Sequence, residues 1–230
     1  MNNRPRPKVL LGYSTSNTTR EVFEQHGCDA WTADVRPGEG PKHIQGDIWV
    51  ALSAQPWDFA VLHPPCTYLT VSAAWAYTDG PYHMTVSPGT LVGAVRRAAR
   101  DEALNTFQRL LALPFPVVVE NPARSFVCTS IRKPDQVLQP YMFGLDASKA
   151  TGLWLSEVPP VQVPPEAVWV QPRICNGLPR WGNQTDTGQN RVSPSDTRAL
   201  TRSSDVRCIV QGAAPQWARW LTGNGGGNHD

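Results

Sequence analysis

Two reactive side chains, the thiol of Cys66 and the carboxyl group of Glu120, each follow a short apolar run. Residues 59–62 and 115–119 are long enough for buried strands and too short for helices. A thiolate is a strong nucleophile and a carboxyl group can give or take a proton. If the two strands are neighbours in one sheet, both groups face the crevice at the carboxyl ends of the strands, where open α/β sheets bind ligands.

Prolines mark the end of both runs. Pro64 and Pro65 precede Cys66, and Pro122 follows Glu120 closely. Proline cannot donate to a sheet ladder and disfavours helix at the residue before it, so each strand is expected to stop here. The alternatives are a buried cysteine in a proline turn and a surface glutamate at a strand tip. An unpartnered buried carboxylate would cost several kcal/mol, so we favour a functional glutamate.

The first 34 residues have the order of a nucleotide-binding βαβ unit. Residues 9–12 and 30–33 are predicted strands, residues 20–25 a helix, and Asp34 ends the second strand. An acid at that position commonly accepts hydrogen bonds from ribose hydroxyls. The connecting loop lacks a Gly-x-Gly-x-x-Gly pattern. Its candidate ligand-binding residues are Tyr13, Ser14 and Ser16, although an N-capping role for Ser14, Ser16 or Thr18 is equally open.

A third short strand and turn are predicted at residues 43–48. Asp47 lies in that turn and could cap the next element or bind the exocyclic amine of a base. The sequence leaves these two roles equally open.

A long loop and a long helix separate Cys66 from Glu120. Residues 67–89 have no clear periodicity and contain aromatic residues such as Trp75, which could stack on a flat substrate or pin the loop to the core. Residues 90–113 carry an apolar stripe of helical period. The polar side of that helix holds Arg96, Arg97 and Arg100, which could contact phosphates or face solvent.

Further strands are predicted at residues 136–143 and 150–155. Residues 159–180 are expected to be irregular, and residues 206–221 partly helical with interruptions at Gly212 and Pro215. The Gly/Asn-rich tail at residues 223–230 is expected to be disordered.

Composition bounds the class of protein. The 230 residues are 40% hydrophobic with a net charge of +2, which fits a globular domain without a global basic signal for nucleic acid. The five cysteines form no Cys-x-x-Cys pair, and no Cys/His spacing predicts a metal site. We find neither an apolar leader nor a run of transmembrane length, and therefore expect a cytoplasmic protein with no membrane partner.

The order of these motifs resembles the DNA cytosine-C5 methyltransferases, especially the short phage-type members of that superfamily. Pro65-Cys66 resembles the family's nucleophile motif, and Glu120-Asn121 its Glu-Asn motif. Asp34 resembles the ribose-binding acid, and Gly46-Asp47-Ile48 the cofactor-adenine motif. Residues 143–154 resemble the stretch that supplies a basic partner to the glutamate, here Lys149, and residues 213–215 the last cofactor motif.

This resemblance implies a Rossmann-like α/β methyltransferase fold, with a mostly parallel sheet and helices on both faces, in a single domain at residues 1–222. It implies S-adenosylmethionine as cofactor, a flipped-out DNA cytosine as substrate, and a bacterial or phage-infected host cell. The implied catalytic residues are Cys66, Glu120, Asn121 and Lys149. Cofactor contacts are expected from Tyr13, Ser14, Ser16, Asp34, Asp47, Ile48, Pro64 and Ala214, and DNA contacts from Thr67, Trp75, Arg96 and Arg191.

The chain departs from the family pattern in two places. The loop at residues 12–19 lacks the Phe-x-Gly-x-Gly of full-length enzymes. The target-recognition region is reduced to about residues 156–195. The reduced recognition region leaves open a pyrimidine-C5 enzyme that acts on a free nucleotide or transfers another group. The three arginines of the long helix leave open a non-catalytic DNA-binding module.

Overall fold

A computed structural model of the chain describes residues 5–83, 85–191 and 198–223. In these ranges the strands are β1 Lys8–Gly12, β2 Asp29–Asp34, β3 His43–Gln45, β4 Phe59–Leu62, β5 Val117–Pro122, β6 Gln136–Leu138, β7 Thr151–Ser156, β8 Arg173–Cys175 and β9 Leu178–Arg180. The α-helices are α1 Asn17–Gln25, α2 Ile48–Ser53, α3 Gly93–Leu111, α4 Val127–Ser130 and α5 Arg198–Thr222. Short 3₁₀ segments occupy Val71–Tyr77, Pro140–Phe143 and Glu166–Val168.

Seven strands form one sheet in the order β3-β2-β1-β4-β5-β7-β6. The first five are mutually parallel, β7 runs antiparallel to β5, and β6 runs antiparallel to β7. The chain leaves β1 towards β2 on one side and later returns to pair β4 on the other side. This reversal is the topological switch point of a Rossmann-type sheet, where a crevice opens beyond the carboxyl ends of the strands.

Alternate residues of the central strands pack on opposite faces of the sheet. Val9, Phe59 and Val118 face a core completed by Phe23 of α1 and Trp217 of α5. Leu10, Ala60 and Val119 face a second core completed by α2 and α3. The unbroken apolar runs follow from this double burial, because a parallel strand covered on both faces has no polar side. The prediction of a mostly parallel α/β sheet with helices on both faces is confirmed.

The structure corrects three predicted elements. The strand predicted at residues 136–143 stops at Leu138, because Pro140 begins a 3₁₀ turn. Helix α5 is continuous through Gly212 and Pro215, because its buried face packs against α1 and outweighs the lost backbone hydrogen bond. Residues 159–180, expected to be irregular, contain the β8–β9 hairpin. The predicted tail lies outside the described residues, except for Gly223.

Candidate active-site cleft

A cleft of about 1150 Å³ opens at the carboxyl ends of β1, β2, β4 and β5. Its walls combine these strand ends with residues of α5 and of the loop that follows the β8–β9 hairpin. The predicted site residues that line it are Tyr13, Ser14, Ser16, Asp34, Asp47, Ile48, Pro64, Cys66, Thr67, Glu120, Asn121 and Lys149. The fold therefore brings the predicted nucleophile, acid and cofactor residues to one cavity.

Cys66 lies in a turn that directly follows β4. Pro64 is buried, whereas Pro65 and Cys66 are exposed towards the cleft. The carbonyl oxygen of Cys66 accepts hydrogen bonds of 3.0 Å from the backbone N–H groups of Leu69 and Thr70. A bridge between Thr70 and Ser125 then ties this turn to the segment after β5. These backbone contacts fix the turn that carries the thiol.

Glu120 lies level with His63 on the neighbouring strand. The parallel ladder between β4 and β5 ends at the pair Leu62–Val119, so the next residue of each chain segment is His63 and Glu120. Nδ1 of His63 and Oε2 of Glu120 form a hydrogen bond of 3.2 Å. Glu120 is only 8% exposed. A nearly buried carboxyl group with one polar neighbour matches the sequence argument that such a glutamate needs a partner.

Asn121 connects the two strand ends in a second way. Its Nδ2 donates a 3.1 Å hydrogen bond to the carbonyl oxygen of Pro64. Turning the amide over would bring two oxygen atoms together, so this bond fixes the orientation of the side chain. Asn121 is 1% exposed, and its Oδ1 has no hydrogen-bond partner within the described residues. This hydrogen bond holds the backbone at Pro64, which lies two residues before Cys66 in the chain.

The loop after β1 forms another wall. Tyr13 has a left-handed backbone with φ of 60°, and the N–H of Ser14 donates to the carbonyl oxygen of Ala33, which bends the chain sharply into α1. Ser16 is the N-cap of α1, so the capping alternative holds for this serine, which also lines the cleft. Burial, with the nearby charge of Asp47, raises the pKa of Tyr13 to about 12.

Asp34, at the end of β2, is held by Arg36. Its Oδ1 accepts from the backbone N–H and from Nε of Arg36 at 2.9 and 3.0 Å, and its Oδ2 accepts from Nη2 at 3.1 Å. Burial alone would raise the pKa of Asp34, but the hydrogen bonds and charge of Arg36 together lower it. A carboxylate has about four acceptor positions, so Oδ2 can accept one more hydrogen bond.

Asp47 is the N-cap of α2, where its Oδ1 accepts a 2.9 Å hydrogen bond from the N–H of Trp49. Asp47 therefore caps α2 through Oδ1. The cap does not use Oδ2, so the base-binding role of Asp47 stays open. Ile48, only 6% exposed, supplies an apolar surface beside it. A Cβ on Gly12 would lie 2.5 Å from Cδ2 of Leu62 and 2.6 Å from Cδ1 of Ile48, so a larger residue at the end of β1 would make both side chains shift.

Further cationic side chains line the cleft besides Arg36. Lys149, Arg124 and Arg207 come from the segment before β7, the segment after β5, and α5. Lys149 was predicted, whereas the two arginines were not. Arg124 and Arg207 are exposed and form no ion pair with the described acidic residues. Exposed cationic side chains in a cleft attract anionic groups such as phosphates.

Four predicted site residues do not line the cleft. Arg96 is 5% exposed; its guanidinium donates to the carbonyl oxygens of Leu91 and Thr67 and stacks on Tyr68 and Tyr77. The prediction of a phosphate contact is wrong for this arginine, which fixes the Thr67 loop instead.

Ala214 is fully buried in the α1–α5 core, so it is not a cofactor contact; Arg207 and Val210 are the α5 residues that reach the cleft. Trp75 packs edge-on against Tyr82 and His83, outside the cleft lining. Arg191 donates through Nε to the carbonyl oxygen of Gln184. It therefore holds the loop whose residues Gln184, Gly188 and Asn190 line the cleft.

Sequence reasoning missed several residues of the cleft lining, among them His63, Arg124 and Arg207. His63 directly follows the predicted β4 strand, and that position was a usable signal for a side chain at the cleft. Arg124 comes four residues after Glu120 and could have been found in the same way. Arg207 could not, because its place depends on how the distant helix α5 packs against the sheet.

Comparison of the chain with protein-family models gives no match, and comparison with curated proteins gives none either. None of the described helices combines the length and the apolar character needed to span a lipid bilayer. In the described ranges, no three His, Cys, Asp or Glu side chains converge as a metal site.

Proposed function

We propose that this protein transfers a methyl group from S-adenosylmethionine to C5 of a cytosine in DNA, with Cys66 as nucleophile. The observation that carries this proposal is the meeting of Cys66 and Glu120 in one cleft, beyond the carboxyl ends of the adjacent strands β4 and β5. An exposed thiol and a nearly buried carboxyl group, held by separate strands, can approach two edges of one flat ring.

The chemistry requires these two residue types. C5 of cytosine is a poor nucleophile until a thiolate adds to C6. In that step the Sγ–C6 bond forms, the π electrons shift towards N3, and N3 takes a proton from Glu120. A general base, such as a water molecule, then takes the C5 proton, the Sγ–C6 bond breaks as the thiolate leaves, and the proton on N3 returns to Glu120. Asn121 maintains the turn that presents the thiol, through its hydrogen bond to Pro64.

The described residues fit S-adenosylmethionine on the β1–β2 side of the cleft. Asp34 Oδ2 retains an acceptor position for a ribose hydroxyl, and Asp47 retains an oxygen for an adenine amine. Ile48 and Val210 offer apolar surface, and the N-terminus of α1 favours a carboxylate. When bound, the cofactor supplies an electrophilic sulfonium methyl group.

The exposed arginines of the cleft lining support a nucleic-acid substrate. Arg124 and Arg207 are suitably exposed for phosphate oxygens, which arginine binds well. A target base in duplex DNA would have to leave the stack to reach Cys66. With the resemblance to the phage-type enzymes, the proposal places this activity in the cytoplasm of a bacterial or phage-infected cell.

A second candidate function is C5 modification of a free pyrimidine nucleotide. It is favoured by the small size of the region after β7, in which the described part, residues 157–191, contains one short 3₁₀ segment and the β8–β9 hairpin. Such a region offers little surface for reading a DNA sequence in the grooves.

Transfer of tritiated methyl groups to duplex DNA, single-stranded DNA and dCMP separates these functions. We expect label at C5 of cytosine in DNA. C66A and E120Q should each lose at least about 100-fold in rate, since each removes a reacting group. C175S is the matched control, because Cys175 lies in the β8–β9 hairpin outside the cleft lining. Labelling of dCMP alone would favour the second function, and full activity of C66A would refute both.

A further inference from the structure

We propose that His63 is the positioning residue of Glu120. In this proposal, which rests on the proposed function, Nδ1–H of His63 donates to Oε2 of Glu120. This contact keeps the acidic proton on Oε1, the oxygen that faces N3 of the substrate base.

The backbone sets this contact. The N–H of His63 donates to the carbonyl oxygen of Gly12, which extends the pairing of β4 with β1 by one residue. Pairing with β7 extends β5 past Val119, so Glu120 is also held in strand geometry. Both side chains project from rigid strand ends, and the side chain of Glu120 is 10% exposed and that of His63 24%. A hydrogen bond between such pre-positioned groups orients the carboxyl group at little cost in entropy.

The resemblance assigns this supporting role to Lys149. Lys149 does line the cleft, as do Cys66 and Arg124, and these are charged or titratable groups that share the cavity with the pair. Within the described residues, however, the hydrogen bond of the Glu120 carboxyl group is made with His63. The neighbouring strand therefore supplies the residue that controls the carboxyl group.

The hydrogen bond from His63 determines which oxygen of Glu120 carries the proton and how readily that proton is given to N3. Before cysteine addition, Glu120 carries its proton on Oε1, and Oε2 accepts from Nδ1–H of a neutral imidazole. When the Sγ–C6 bond forms, Oε1 gives its proton to N3 and the carboxyl group becomes a carboxylate. The same Nδ1–H hydrogen bond then serves an ionised acceptor, and such bonds are about twice as strong. His63 thus favours proton donation without exchanging a proton itself.

Three substitutions test the donor at this position. In H63N the amide Nδ2 lies the same number of bonds from Cα as Nδ1 of histidine, so it can still donate to Oε2. In H63Q the amide is one bond further out, near the position of Nε2, and H63A removes the donor entirely. The assay is release of tritium from C5 of cytosine in DNA, which reports cysteine addition at C6, together with methyl transfer.

We expect H63A and H63Q to lose about tenfold or more in both rates, the size of one charge-assisted hydrogen bond. H63N should recover most of that loss. Cofactor affinity by calorimetry should stay close to the wild-type value in all three variants. The melting temperature of H63A should fall, because Glu120 loses its hydrogen-bond partner. A merely structural histidine would lower the melting temperature without a difference in rate between H63N and H63Q.

The outcomes separate this proposal from the function on which it rests. If the wild type releases tritium and H63A does so equally fast, the role of His63 is refuted and the function stands. Equal losses in folded H63N and H63Q would also refute it. If the wild type neither releases tritium nor transfers methyl groups to any substrate, both proposals fail. Should H63A not fold, the comparison of H63N with H63Q decides.

Discussion

Replacing Asn121 by alanine should weaken both the fold and the catalytic turn. The change removes a 3.1 Å hydrogen bond and leaves the buried carbonyl oxygen of Pro64 without its donor. A lost hydrogen bond costs about 1 kcal/mol, and an unsatisfied buried acceptor about 1–3 kcal/mol. The substitution also removes Oδ1 of Asn121, which is buried without a hydrogen-bond partner among the described residues. Removing this unsatisfied atom offsets part of the loss in stability. We therefore expect a net loss of about 2 kcal/mol in the free energy of unfolding.

A loss of that size is measurable. For a chain of this length it lowers the melting temperature by about 4–8 °C. The turn that carries Cys66 should become less well placed, and we expect methyl transfer to fall about 10- to 100-fold. N105A is the matched control, because Asn105 is exposed on α3 and its truncation should cost no more than about 0.5 kcal/mol.

The variant N121D tests the orientation of the amide. An ionised carboxyl group at this site would place negative charge beside the Pro64 oxygen, and burial would raise the pKa of the introduced group. A group with a raised folded-state pKa stabilises most when it is protonated, and this contribution is lost as pH rises. The stability deficit of N121D relative to the wild type should thus be larger at pH 7 than at pH 4.5. A pH-independent deficit, or an N121A variant as stable and active as N105A, would refute this reasoning.

Three further predictions follow from the environments of single side chains. Iodoacetamide at pH 8 should alkylate exposed Cys66 in the folded protein and spare Cys28, whose pKa burial raises to about 11; equal labelling in peptide mass spectra would contradict this. Ultraviolet titration should show one tyrosine ionising near pH 12, and Y13F should remove that step. R36A should reduce stability more at pH 7 than at pH 3.5, because the lowered pKa of Asp34 makes its contribution present above the unfolded pKa and lost in acid. Denaturant curves that shift equally at both pH values would argue against that pairing.

Local signals were sufficient for the parts of the fold that determine the cleft. The run at residues 59–62 coincides with β4, because four apolar residues followed by two prolines leave no other regular structure. The strand containing Glu120 was predicted to end at Val119, whereas pairing with β7 continues it to Pro122. That extension depends on a partner strand distant in the chain.

Tertiary packing decided the remaining features. Arg96 resembles its neighbours on the polar side of a helix, yet aromatic rings and two carbonyl oxygens bury it. Pro215 reads as a helix breaker, but burial of the α5 face outweighs the local penalty. The β8–β9 hairpin had a usable local signal, since Asn176 and Gly177 both adopt positive φ, as a two-residue turn of the Asn-Gly type requires.

The central claim is that Cys66 attacks a cytosine in the cleft that also holds the cofactor. Incubation with DNA containing 5-fluorocytosine and S-adenosylmethionine tests it directly. Fluorine replaces the C5 hydrogen that must leave as a proton before the thiolate can depart, so the covalent adduct is trapped. We expect a stable protein–DNA complex that requires the cofactor, with the cross-link at Cys66 in the peptide mass spectrum and no complex for C66A. Failure of the wild type to form the adduct, or a cross-link at another residue, would contradict the account.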